Sequence, residues 1–148
     1  MNIMNKKIVI ATHASLADGF KEALGFFTGS LENVYTICAF TRDKNPQSEI
    51  EALLKSFASD DLVIVFSDLA GGSVNKMLVK MLKDRKFYLI TGINLGMLLE
   101  LALCDVNEIN ENKIREVVAN ANEQTYYVND RIKELEEKND DEQNFFDN

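Results

Sequence analysis

Basic residues are scarce, cysteine occurs twice and histidine once in this chain of 148 residues. Lys and Arg total 16 against 24 Asp and Glu, a formal charge of −8, and residues 130–148 hold eight acidic side chains against three basic ones. There is no basic stripe to follow phosphate backbones and no Lys/Arg cluster beside an apolar helix, which argues against nucleic acid and direct membrane insertion. Cys38 and Cys104 lie far apart, each in an apolar run, a placement that predicts small reduced core residues in a cytoplasmic protein rather than a bridge or metal site. Long hydrophobic runs are missing too. The N-terminal "IVIA" is too short for a signal-peptide core, and no window approaches the ~20 apolar residues of a spanning helix. No repeat or Gly/Pro-rich linker divides the chain, and its length suits one well-buried core.

What is present is an alternation. "KIVIAT" (7–12), "NVYTICAF" (33–40), "DLVIVF" (61–66) and "KFYLIT" (86–91) are continuous apolar runs, as expected of strands covered on both faces. Helical periods lie between them. Ser15 with Asp18 predicts a capping box, followed by an inward face of Phe20, Leu24 and Phe27 and a stop at Gly29. Asn45-Pro46 opens a helix that buries Ile50, Leu53, Leu54 and Phe57. Ser73 is expected to cap a third, with Val74, Met77, Leu78, Met81 and Leu82 inward, and Asn94 to open a fourth, with Met97, Leu98 and Leu101 inward. The methionines at helical spacing read as core, not as a cofactor box.

The fold class that follows is α/β, a doubly wound, mainly parallel four-stranded sheet of order 2-1-3-4 with helices on both faces. Ile114, Val117, Val118 and Ala121 predict a fifth helix, "TYYVN" (125–129) a short strand and "DRIKELEEK" a terminal helix. Residues 1–138 are expected to form the domain and residues 139–148 a disordered acidic tail, in which Phe145 and Phe146 fray rather than dock.

Ligands of such sheets sit beyond the carboxyl ends of the strands, where the winding reverses, here between strands 1 and 3. His13 ends strand 1, and "SDLAGGSVN" follows strand 3, so Asp68, Gly71, Gly72 and Ser73 arrive beside it. A carboxylate on one imidazole nitrogen fixes the tautomer and leaves the other nitrogen nucleophilic. Glycines let backbone approach closely, helix-opening amides near Ser73 and Ser15 bind anions, and Thr12 and Ser73 add hydroxyls. The set suits a phosphoryl group without a metal or other cofactor. By residue type alone, Asp68 fits capping of its own turn equally well.

"IVIATHASLADGF", "SDLAGGSVN" and "TGINLGMLLE", in this order, resemble the enzyme IIA domain of the mannose family of the bacterial phosphoenolpyruvate-dependent sugar phosphotransferase system, over residues 6 to 130. The resemblance implies a phosphotransferase that accepts a phosphoryl group from phospho-HPr on Nε2 of His13 and passes it to a IIB subunit, with the membrane IIC and IID subunits as indirect partners. It also implies Asp68 as the carboxylate partner of His13, and Thr12, Gly71, Gly72 and Ser73 in the active-site loops. Family members form homodimers by exchanging a short antiparallel fifth strand, which "TYYVN" would supply. Here Val74 and Gly96 stand where proline is common in the family. The lack of an Ala/Pro-rich linker and second domain reads as a free-standing subunit with a separate IIB.

Other readings fit less well. A phosphocarrier for a dihydroxyacetone kinase usually has an altered glycine pair after the aspartate. A receiver domain needs an acidic pair after strand 1, which "ATHAS" lacks. Neither G-x-x-x-x-G-K-[ST] nor G-x-G-x-x-G follows strand 1. A binding module that reads the phosphorylation state stays open.

Overall fold

The computed structural model describes residues 5–41 and 45–146, with side chains as far as residue 143. Four strands, β1 (Lys6–His13), β2 (Val34–Ala39), β3 (Leu62–Ser67) and β4 (Tyr88–Thr91), form one sheet of order β2-β1-β3-β4. Every pairing is parallel, because helices α1 (Leu16–Thr28), α2 (Pro46–Ser56) and α3 (Ser73–Met81) carry the chain back between strands. Helices α4 (Leu95–Leu103), α5 (Glu111–Glu123) and α6 (Val128–Phe146) follow, with a short 3-10 turn at Val106–Glu108.

Continuous apolar strands feed two cores. Ile8 and Ile10 of β1 point with Ile64 and Phe66 of β3 toward α1, α4 and α5, where Leu24, Leu98, Leu101 and Val117 close the layer. Val9 and Ala11 point the other way with Val65, against Ile50 of α2 and Val74 and Leu78 of α3. Each such side chain is worth about 1.5–3 kcal/mol of transfer free energy. Two covered faces leave the strand ends as the ground for chemistry.

The two expected asparagine caps form, and a third at Asn110 joins them. Asn45 Oδ1 accepts from the amides of Gln47 and Ser48, Asn94 Oδ1 from Met97 and Asn110 Oδ1 from Lys113. Gly29 ends α1 in the left-handed region, φ 70°, and its amide reaches Gly25 O. The serine caps do not form. Ser15 makes no side-chain cap; Thr12 Oγ1 takes the Ala17 amide at 2.7 Å, and Asp18 instead accepts from Thr36 Oγ1. Ser73 is the first residue of α3, with Gly72 at the cap position. The inward faces shift accordingly: α1 buries Ala17 and Leu24 while Phe27 is exposed, and Leu82 lies exposed past the end of α3.

The expected strand at 125–129 does not form in the single chain. Residues 125–127 have no regular structure and Val128 starts α6, which runs past the expected boundary at 138 to Phe146. All side chains of α6 through Gln143 are exposed. At the opposite end of the body, the Lys6 ammonium donates to the carbonyls of Leu101, Ala102 and Cys104 at 2.7–2.9 Å, closing the C-terminus of α4. Burial pulls that ammonium below its ordinary pKa. Cys38 and Cys104 are free, and burial pushes both thiols up. No helix among the described residues is long and apolar enough to cross a membrane.

Candidate functional site

The register of β1 against β3 sets Ala11 opposite Ser67, so the residues just beyond that pair meet. They are His13 and the turn from Asp68. Asp68 Oδ2 accepts from His13 Nδ1 at 2.9 Å and from the His13 backbone amide at 2.9 Å, while Oδ1 accepts from the Leu69 amide at 3.0 Å. One carboxylate thus contacts both the imidazole and the amide of its own turn.

The Asp68 side chain is 8% exposed and that of His13 36%. Burial by itself pushes the Asp68 carboxyl up; hydrogen bonds from the His13 amide and ring and from its own turn outweigh this and hold it below the ordinary carboxylate range. An ionised Asp68 fixes the proton on Nδ1, since a carboxylate only accepts. In the neutral ring Nε2 then carries the lone pair, and the Ser73 hydroxyl lies 3.0 Å from it.

The glycines have different tasks. Gly71, at φ +72°, permits the left-handed turn before α3, and a Cβ there would meet nothing. Gly72 is needed for close approach: a Cβ would lie 3.3 Å from His13 Cε1 and 3.2 Å from Leu69 O. The amides opening α3 follow at Ser73, where a helix start leaves donors free of intrahelical acceptors. Two non-glycine residues beside the imidazole, Ala14 (φ 52°) and Phe40 (φ 66°), also sit in the left-handed region, each a strained position of roughly 1–3 kcal/mol.

The structure brings His13, Asp68, Gly72 and Ser73 together, and Gly71 shapes their turn. Thr12 stands apart. It is fully buried and its hydroxyl holds the start of α1, so it positions a neighbouring element rather than facing the crevice. Val74 is buried under α3, inward as its helical period predicts, whereas Leu16 and Leu69 are exposed. Phe40 was missed. Its ring centroid lies 5.8 Å from that of His13 and the residue is 59% exposed; the available signal was its place at the end of β2, next to β1. Beyond Phe40 opens a polar cavity of about 370 Å³ lined by Ser15, Asp18, Thr36 and Glu49, among others. The described residues contain no group of three or more His, Cys, Asp or Glu side chains arranged to hold a metal ion.

A family model described as PTS system fructose IIA component matches residues 7–122, which include every residue of this site. The chain belongs to that family of phosphotransferase-system IIA components. Its members provide phosphotransfer within the sugar phosphotransferase system, a function that accords with an oriented imidazole. A solved Klebsiella pneumoniae protein assigned to phosphoenolpyruvate-dependent sugar phosphotransferase permeases is similar at 30% identity and TM-score 0.81, over 89% of this chain and 97% of its own. A Streptococcus pneumoniae IIA protein associated with a fucose utilization operon is 26% identical, TM-score 0.76, over 89% and 99%. The mannose/sorbose-specific IIA subunit of Enterococcus faecalis shares the fold at 18% identity and TM-score 0.73, over 84% and 95%.

Asn75 Oδ1 accepts from the buried Ser67 hydroxyl at 2.9 Å, tying α3 to the end of β3. A Cβ at Gly96 would run into the Gln124 side-chain oxygen, so the glycine lets the end of α5 close over the start of α4.

Proposed function

We propose that this chain is a cytoplasmic phosphocarrier that accepts a phosphoryl group from phospho-HPr on Nε2 of His13 and delivers it to a IIB subunit during sugar uptake. One observation supports this most: Asp68 holds Nδ1, so the free nitrogen is the one that faces the crevice. In the forward step the Nε2 lone pair of His13 attacks phosphorus, a new N–P bond forms, and the donor imidazole leaves with its bonding pair. The Nδ1 proton stays in place and Asp68 stabilises the cationic ring. The Ser73 hydroxyl turns from Nε2 to a phosphoryl oxygen, and the opening amides of α3 supply further donors. Delivery to IIB is the same displacement with His13 as the leaving group.

Docking of a second imidazole requires an open, partly apolar rim, for which Leu16, Phe40 and Leu69 are placed. Labelling with phosphoenolpyruvate, enzyme I and HPr tests the acceptor: His13→Ala should take up no label while keeping its thermal transition, and undiminished uptake would remove His13 from the role. Labelled wild-type protein should then lose its phosphate to a IIB subunit. Transfer to a dihydroxyacetone-kinase subunit with none to any IIB would overturn the sugar-uptake reading.

A further inference from the structure

Among the described residues the two fully buried polar side chains are those of Thr12 and Ser67, near the carboxyl ends of the central strands β1 and β3. A hydroxyl taken out of water needs a partner, and each finds one on a helix that opens beside His13. Thr12 Oγ1 accepts from the Ala17 amide of α1, and Ser67 Oγ donates to Asn75 Oδ1 of α3 at 2.9 Å. Every other residue of β3 is apolar and buried, and alternation sets Ser67 on the face of Val63 and Val65, which α2 and α3 cover. A valine at this position would extend that row with no polar group to satisfy. What the hydroxyl adds is the bond to Asn75.

That bond closes the loop that carries both partners of the imidazole. Asp68, at Nδ1, follows Ser67 directly, and Ser73, at Nε2, precedes Asn75 by one turn-opening residue, Val74. Within the loop the Gly72 amide reaches Leu69 O at 3.1 Å and the Leu69 amide reaches Asp68 Oδ1 at 3.0 Å. Those two bonds shape the turn, but neither ties α3 to the sheet. Val74 and Leu78 do hold the helix there by burial, yet apolar contact is non-directional and leaves the helix start free to slide or rotate slightly. The hydrogen bond from Ser67 is directional, and its donor is fixed in turn: the Ser67 carbonyl accepts from the Ile93 amide at 3.1 Å, so the residue is anchored on the β4 side as well.

We propose that Asn75 is a positioning residue for phosphoryl transfer: held by Ser67, it fixes the first turn of α3 so that the Ser73 hydroxyl and the opening amides of the helix stand in reach of the group on Nε2. It acts on His13 through Ser73 and not by a contact of its own. The inference rests on the phosphocarrier reading and adds to it a residue outside the set that meets the imidazole.

Two variants break the same bond from opposite ends, Asn75→Ala and Ser67→Ala, and thermal unfolding shows that each is folded. Since a misplacement of ~1 Å can cost ~10²-fold in rate, each should slow transfer from saturating phospho-HPr about tenfold, with the half-saturating donor concentration within about twofold of wild type. The double variant should be no slower than either single one, because the bond is lost only once. A second readout needs no donor. The single histidine of the chain gives one pair of ring 15N signals, and with the ring neutral Asn75→Ala should move the Nε2 signal toward its position in Ser73→Ala while the Nδ1 signal, held by Asp68, stays. A merely structural role would lower the thermal transition and leave rate and ring signals in place, and that result would overturn the proposal; so would losses in the two single variants that multiply in the double one. A wild-type protein that takes no label from phospho-HPr would instead overturn the phosphocarrier reading, and the ring signals would still decide whether Asn75 positions Ser73.

Discussion

The two nitrogens of His13 differ because each meets a different partner: a carboxylate at Nδ1 and a hydroxyl at Nε2. Replacing Asp68 with Asn keeps the shape but admits the wrong tautomer, so phosphorylation should slow by orders of magnitude, approaching the ~10⁴-fold loss of a triad whose orienting carboxylate becomes an amide. Single-turnover labelling measures this, and a rate within about twofold of wild type would contradict the role. The same carboxylate links stability to pH. Its folded pKa lies below the unfolded value of ~3.9, so its contribution is complete above that value and is lost as pH falls through the folded pKa. The Tm advantage of wild type over Asp68→Asn should therefore hold from about pH 7 to about pH 5 and shrink below about pH 4; an advantage unchanged through the acid range would contradict the pairing. At Gly72 an added Cβ meets the imidazole and the Leu69 carbonyl. Gly72→Ala should slow labelling with little loss of secondary structure by circular dichroism.

At the scale of elements, β1 and α1 are joined by Thr12, not by the serine that the sequence pattern favoured. Thr12→Val should cost roughly 0.5–2 kcal/mol, the usual range for a lost N-terminal cap, while Ser15→Ala should stay within about 0.5 kcal/mol; chemical denaturation of both variants reads the difference. The contrast marks what was legible. Strand and helix order, the sheet order and the asparagine caps were readable because apolar runs, helical periods and Asn side chains act locally. The juxtaposition of His13 and Asp68 was readable one level up, since parallel register carries two loops to one edge. The serines misled because their hydroxyls had competitors: the Thr12 oxygen reached the start of α1 first, and Ser73 met the His13 ring. The segment 125–129 was expected to pair as a strand with a second chain; in the single chain residues 125–127 stay irregular and the helix-forming run after them takes over from Val128. Phe40, the last residue of the second apolar run, is exposed beside the imidazole because burial at a strand end depends on which way the chain turns, and that is set by tertiary packing.

For the whole molecule, two buried cores make the sheet a stiff frame, and the strand ends present a lone exposed imidazole among Leu16, Phe40 and Leu69. If this rim docks the phosphate donor, Phe40→Ala should raise the KM for phospho-HPr roughly fivefold to tenfold, the loss expected of an aromatic contact worth more than about 1 kcal/mol, with kcat near wild type. Leu103→Ala, also exposed but at the end of α4 closed by Lys6, should leave both constants unchanged, and equal effects of the two variants would contradict a docking role for Phe40. Everything in the chemical account depends on Asp68 reserving one nitrogen of one histidine. NMR of the 15N-labelled protein, phosphorylated through phosphoenolpyruvate, enzyme I and HPr, tests this most directly. The account predicts a single acid-labile phosphoramidate on Nε2 of His13 with the proton retained on Nδ1; phosphate on Nδ1, or an acid-stable, hydroxylamine-sensitive phosphate on Asp68, would contradict it.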